Sequence, residues 1–126
     1  MKKYYRVIIL MFILITLQLS FLSYYVQAQD INGIDISNNN GNINWNDIKS
    51  KGVINVIIKA TEGVDYKDCN LNANYYNAIN SGMNVGFYHF FSNYTSPTQQ
   101  AIDFWNAIKD KQFNITPVLD IETNRL

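Results

Sequence analysis

The chain has 126 residues, with ten Lys and Arg against ten Asp and Glu, one cysteine and one histidine. A balanced charge without a basic patch argues against nucleic acid as a partner, because nothing would displace counterions from phosphates. A single cysteine excludes an internal disulfide, and with a single histidine it offers no zinc ligand set, so neither a metal nor another cofactor is expected.

Residues 1–28 read as a secretory signal peptide. Lys2, Lys3 and Arg6 form its basic start, Val7 to Leu22 its apolar run, and Val26-Gln27-Ala28 its small-residue cleavage site. Cleavage after Ala28 predicts a secreted or cell-wall-associated protein with no membrane span left in it. It also removes three of the ten basic residues, which leaves 29–126 mildly acidic. Cys69 is expected to be a buried or incidental thiol.

In chain order, Ile31 to Ser37 is predicted as a first strand, with Ile34 and Ile36 on one face and Asp35 on the other. The Asn38-Asn39-Asn40-Gly41 cluster reads as a loop. Asn44 caps a short helix from Trp45 that Gly52 ends. Val53 to Ala60 is an apolar, β-branched run, the pattern of a strand buried on both faces in a parallel sheet, and Glu62 follows just beyond it. Asn70 to Ser81 has Leu71, Tyr75, Ala78 and Ile79 at helical spacing, with Gly82 as the stop. Met83 to Phe90 is a third strand with Gly86, Tyr88 and Phe90 on one face and Val85, Phe87 and His89 on the other. Ser96, Pro97 and Gln99 open a helix whose predicted buried face is Ala101, Phe104, Trp105 and Ile108.

Thr116 to Glu122 is the predicted fourth strand. Alternation places Val118, Asp120 and Glu122 on one face, with the carboxylate attachment points roughly 6 to 7 Å apart. That separation suits a pair of carboxyl groups flanking a glycosidic bond, and it lies between the retaining and inverting ranges, so it selects neither.

Four strands alternating with three helices, at repeats of roughly 30 residues, predict βαβ units in a parallel α/β fold. In such folds function gathers at the C-terminal ends of the strands. Asp35, Glu62, Asp120 and Glu122 all lie at such ends, with Tyr88 at the remaining one, an arrangement suited to a saccharide cleft. No Gly-rich phosphate loop follows the first strand, which disfavours a nucleotide site.

Four stretches carry a family resemblance: Gly33-Ile34-Asp35-Ile36-Ser37, Val56-Ile57-Ile58-Lys59-Ala60-Thr61-Glu62-Gly63, Val85-Gly86-Phe87-Tyr88-His89-Phe90 and Pro117-Val118-Leu119-Asp120-Ile121-Glu122. In order and spacing they resemble the glycoside hydrolase family 25 lysozymes, over 29–126. The resemblance implies an irregular, TIM-like β/α barrel, of which about the first four β/α units are present. It also implies cleavage of the β-1,4 bond between N-acetylmuramic acid and N-acetylglucosamine in peptidoglycan, the expected polysaccharide partner. By the same resemblance Glu122 is the general acid/base, and Asp120 orients the 2-acetamido group that attacks the anomeric carbon. Asp35 and Glu62 are further active-site acids, and Tyr88 lines the cleft. Lys59 reads as an ion-pair partner in the barrel interior, and His89 as a hydrogen-bonded structural residue. Two alternatives stand beside this one: a chitinase-like N-acetylhexosaminidase, whose fourth strand also ends in Asp-x-Glu, and an inactive or wall-binding remnant.

Overall fold

The computed structural model describes residues 32–122, together with Tyr4, Tyr5 and Met11. Contacts divide the chain into two units, Met1–Asp30 and Ile31–Leu126. Tyr4, Tyr5 and Met11 are helical, and the remainder of the predicted signal segment lies outside the described residues. Among the described residues no helix is long and apolar enough to cross a membrane.

The second unit runs β1 (Gly33–Ile36), α1 (Trp45–Ser50), β2 (Asn55–Glu62), β3 (Tyr66–Lys67), α2 (Leu71–Asn80), β4 (Asn84–Phe90), α3 (Pro97–Ile108) and β5 (Val118–Asp120). The strands order as β1-β2-β4-β5, with β3 paired to β2. Every pairing along that path is parallel. A helical crossover after β1, β2 and β4 makes this possible, because parallel neighbours cannot be joined by a tight turn. Among the described residues β1 and β5 are the edges of the sheet.

The helices begin and end where local chemistry dictates. Asn44 accepts a hydrogen bond from the Asp47 amide at 3.1 Å and starts α1. Past its other end Gly52 has φ +86°, a conformation that costs glycine nothing. Ser96 caps α3 through the Gln99 amide, with Pro97 at the first helical position. The Gln99 side chain turns to Asp103 at 2.8 Å and does not reach back to the cap.

The core lies between the sheet and its helices. Val56, Ile58 and Ala60 of β2 and Val85 and Phe87 of β4 pack with Leu71, Tyr75, Ala78 and Ile108. Phe87 is fully buried, with Tyr75 at 5.8 Å and Phe113 edge-on at 5.7 Å. Burial of a side chain of that size contributes about 1.5–3 kcal/mol. Gly86 faces away from this core, and a Cβ there would meet Ile115 Cβ at 2.8 Å.

Several expectations need correction. The Asn38 cluster is a 3-10 turn, closed by Ser37 and Asn40 in a reciprocal capping box. The short hairpin strand β3 was not predicted. In α2, Asn74 is buried and Ile79 is 40% exposed. In α3 the inward residues are Gln100, Phe104, Ala107 and Ile108, while Ala101 and Trp105 face solvent, Trp105 being 57% exposed. The inward set keeps the i, i+4, i+7, i+8 spacing of one helix face; Gln100 belongs to it because its amide finds backbone partners at Ser92 and Thr95. Cys69 is exposed. The fourth predicted strand is short: β5 ends at Asp120, so Glu122 lies beyond it.

Candidate active site

Sheet register fixes what shares a row on the face opposite the helices. Asp35 pairs with Ile57, and Ile57 with Gly86. One row further on, Lys59 pairs with Tyr88 and Tyr88 with Val118. The next row is Glu62, Phe90 and Asp120. Strict alternation would put Lys59 and Glu62 on opposite faces. The register shift between Lys59 and Thr61 inserts one residue, as a bulge does, and brings both to the same side. Lys59 Nζ then donates to Glu62 Oε2 at 2.6 Å. The lysine side chain is only 9% exposed. Its ammonium also lies 4.8 Å from the centre of the Phe90 ring and 5.7 Å from that of Tyr66, within cation–π range.

The same shift turns Thr61 toward the helices, where its hydroxyl meets His89 Nδ1 at 2.8 Å. His89 Nε2 is 2.9 Å from Gln100 Oε1. That oxygen also accepts from the Ser92 amide, while Gln100 Nε2 donates to the Ser92 and Thr95 carbonyls. The backbone partners fix the amide orientation, so Nε2 of His89 carries the proton and Nδ1 accepts from Thr61. His89 is thus held in a buried structural network on the helix side of the sheet.

Asp35, Tyr88 and Asp120 come together around a cavity of about 340 Å³, whose other walls include Ile57, Val118 and Leu119. Burial, reinforced by the negative charges of Asp35, Asp120 and Asp68, pushes the Tyr88 phenol up to about 12. A hydrogen bond with the Ser37 side chain opposes the rise. Asp68 is itself buried, accepting from the Asn38 amide at 3.0 Å and the Asn70 amide at 2.8 Å. It ties the end of β1 to the start of α2.

Two of the predicted residues stand apart from that cavity. Glu62 lines a neighbouring one with Lys59, Tyr66, Ser92 and Thr95. Glu122 is exposed, two residues past β5, and lines neither. Ser37, Tyr66 and Asp68 were not singled out in the sequence. A turn signal was available for Tyr66: Gly63 and Asp65 both adopt positive φ in the three-residue loop before it. Among the described residues no group of three or more His, Cys, Asp and Glu could hold a metal ion.

Comparison with known proteins is consistent in direction. The family "Glycosyl hydrolases family 25" matches residues 34–126. Lysozyme M1 of Streptomyces globisporus is 45% identical, over 75% of this chain and 33% of its own length. Among solved structures, a family 25 lysozyme from Aspergillus fumigatus superposes with a TM-score of 0.68 at 36% identity, covering 75% of this chain and 47% of its own. The bacterial lysozyme from Streptomyces coelicolor gives 0.65 at 39% identity, covering 74% and 45%. The chain therefore spans about a third of that curated relative and under half of each solved one. With a match over residues 34–126 and a parallel α/β sheet shared with these structures, the chain belongs to glycosyl hydrolase family 25.

Proposed function

We propose that the chain is the N-terminal part of a secreted N-acetylmuramidase that hydrolyses the β-1,4 bond between N-acetylmuramic acid and N-acetylglucosamine in peptidoglycan. The observation that carries this reading is the cavity shared by Asp35, Tyr88 and Asp120 at the C-terminal end of a parallel sheet. It is supported by relatives that are themselves lysozymes. The sheet β1-β2-β4-β5 is taken as the first part of a TIM-like barrel, with the cavity on its inner face.

In this reading Glu122 protonates the leaving oxygen, and Asp120 orients the 2-acetamido group. The acetamide oxygen attacks the anomeric carbon as the glycosidic bond breaks. Water then opens the resulting intermediate with Glu122 acting as base, and configuration is retained. Asp35 places negative charge beside the developing oxocarbenium character. Tyr88, its proton held by burial and by the surrounding carboxylates, donates a hydrogen bond to the sugar. Glu62, paired with Lys59, positions substrate at the edge of the cleft.

Reducing-sugar release from purified peptidoglycan tests the assignment of the acid. Glu122→Gln is expected to lower the rate about 10²–10⁴-fold, the usual worth of a positioned general acid. An unchanged rate would remove Glu122 from that role. A second reading, a wall-binding remnant, draws on the exposed position of Glu122 beyond β5. It predicts co-sedimentation with peptidoglycan and no released sugar.

A further inference from the structure

Asp68 is a buried charge that does not line the proposed cleft. It lies in the connection from β3 to α2, only 2% exposed, and neither ion pair among the described residues involves it. A buried carboxylate is costly unless hydrogen bonds take up its charge. Two backbone amides do so here. Oδ1 accepts from Asn70 at 2.8 Å, the local turn that leads into α2. Oδ2 accepts from Asn38 at 3.0 Å, thirty residues away in the chain. The Asp68 amide itself donates to the Ala60 carbonyl at 3.0 Å, which fixes its backbone to β2. A turn into a helix needs the first of these bonds and not the second.

The second bond holds the turn that follows β1. Ser37 opens that turn, buried and with extended backbone at φ −145°. Its amide donates to Asn40 Oδ1 at 2.8 Å, and its Oγ accepts from the Asn39 amide at 3.2 Å. A hydroxyl whose oxygen already accepts has its hydrogen left to give. The hydrogen bond between Ser37 and Tyr88 opposes the rise of the phenol's pKa, as a bond donated to the phenol oxygen does. Tyr88 Oη then accepts from Ser37, and its own hydrogen is left for the cavity it shares with Asp35 and Asp120. We propose that Ser37 and Asp68 are positioning residues of the cleft: Asp68 holds the Ser37 turn through the Asn38 amide, and Ser37, by donating to Tyr88, fixes the tyrosine as a hydrogen-bond donor into the cavity. The use of that donor in catalysis rests on the glycan-cleaving reading given above.

The test is carbon NMR of the full chain labelled at tyrosine Cζ, whose resonance follows the hydrogen bonding of the phenol oxygen, with the Tyr88 line assigned by Tyr88→Phe and read at neutral pH. Ser37→Ala should move that line. Ser37→Thr keeps the hydroxyl on a β-branched side chain that suits extended backbone, and should leave the line in place. Asp68→Asn has one acceptor oxygen for two amides and should move the line in the same direction as Ser37→Ala. Combining the two should add nothing, because Asp68 acts through Ser37. Ser37→Ala and Asp68→Asn should each also lower kcat/KM on peptidoglycan about tenfold, the worth of one oriented hydrogen bond, and Ser37→Thr should restore it. A Tyr88 line unmoved by Ser37→Ala would overturn the proposal, as would independent, additive shifts in the double variant. If the line behaves as expected and the parent releases no sugar, the glycan-cleaving reading falls and the positioning of Tyr88 stands. If the parent releases sugar and the line does not move, the proposal alone falls.

Discussion

Tyr88 is the residue on which the charges of the cleft converge. Its phenol is pushed from 10.0 to about 12 by burial first and by Asp35, Asp120 and Asp68 after it. A tyrosine is charged only when deprotonated, and here the folded form holds the proton more tightly than the unfolded one. Its contribution to stability is therefore complete below pH 10 and is lost as pH rises from about 10 to about 12. Ultraviolet difference titration against Tyr88→Phe should isolate this phenol with a midpoint near 12, and Asp35→Asn should move the midpoint back toward 10. A midpoint near 10 in the parent would show that Tyr88 is neither buried nor crowded by Asp35 and Asp120 as described. Placing Asp35, Tyr88 and Asp120 on one face needed only strand alternation, which the sequence displays. The Lys59–Glu62 pairing depends on a one-residue register shift that no local pattern announces, since Ala60 and Thr61 suit a regular strand equally well.

Among the elements, β4 shows how tightly the sheet is constrained from both sides. Val85, Phe87 and His89 face the helices, while Gly86 lies against Ile115. The segment leading to β5 is tied to β4 by the Asn114 and Ile115 amides, which donate to the Val85 carbonyl at 3.0 and 3.1 Å. Gly86→Ala should therefore cost about 1–3 kcal/mol of stability, since the new methyl must displace Ile115 or the tied backbone. Urea denaturation would measure this, and a midpoint equal to that of the parent would show that the Ile115 segment yields freely. Apart from the short β3, strand and helix order is legible in the sequence, because β-branched runs, caps and stop glycines agree with one another along the chain. Helix faces were less so. In α3 the buried Gln100 takes a place that hydrophobicity would have given to Ala101 or Trp105, and the Ser92 and Thr95 carbonyls that justify it lie in the loop just before the helix, whose path no periodicity reveals. The end of β5 was misplaced for a similar reason: Ile121 and Glu122 continue the alternating pattern but gain no strand partner.

For the unit as a whole, one stretch of exposed apolar surface lies between α3 and β5. An apolar groove there is lined by Ala101 and Phe104 of α3 and by Pro117, Val118 and Leu119, the last 56% exposed. An unpaired edge strand with an adjoining apolar groove is what a β/α fold presents where further units pack. The solved relatives, of which this chain covers under half, fit that reading. The same sheet carries the proposed chemistry on its other face, and that chemistry acts on a bond in the wall polymer. Peptidoglycan treated with the protein, reduced with borohydride and hydrolysed will report which sugar gained the new reducing end. Reduced muramic acid is the predicted product; reduced glucosamine, or no reduced amino sugar at all, would contradict the assignment of a muramidase.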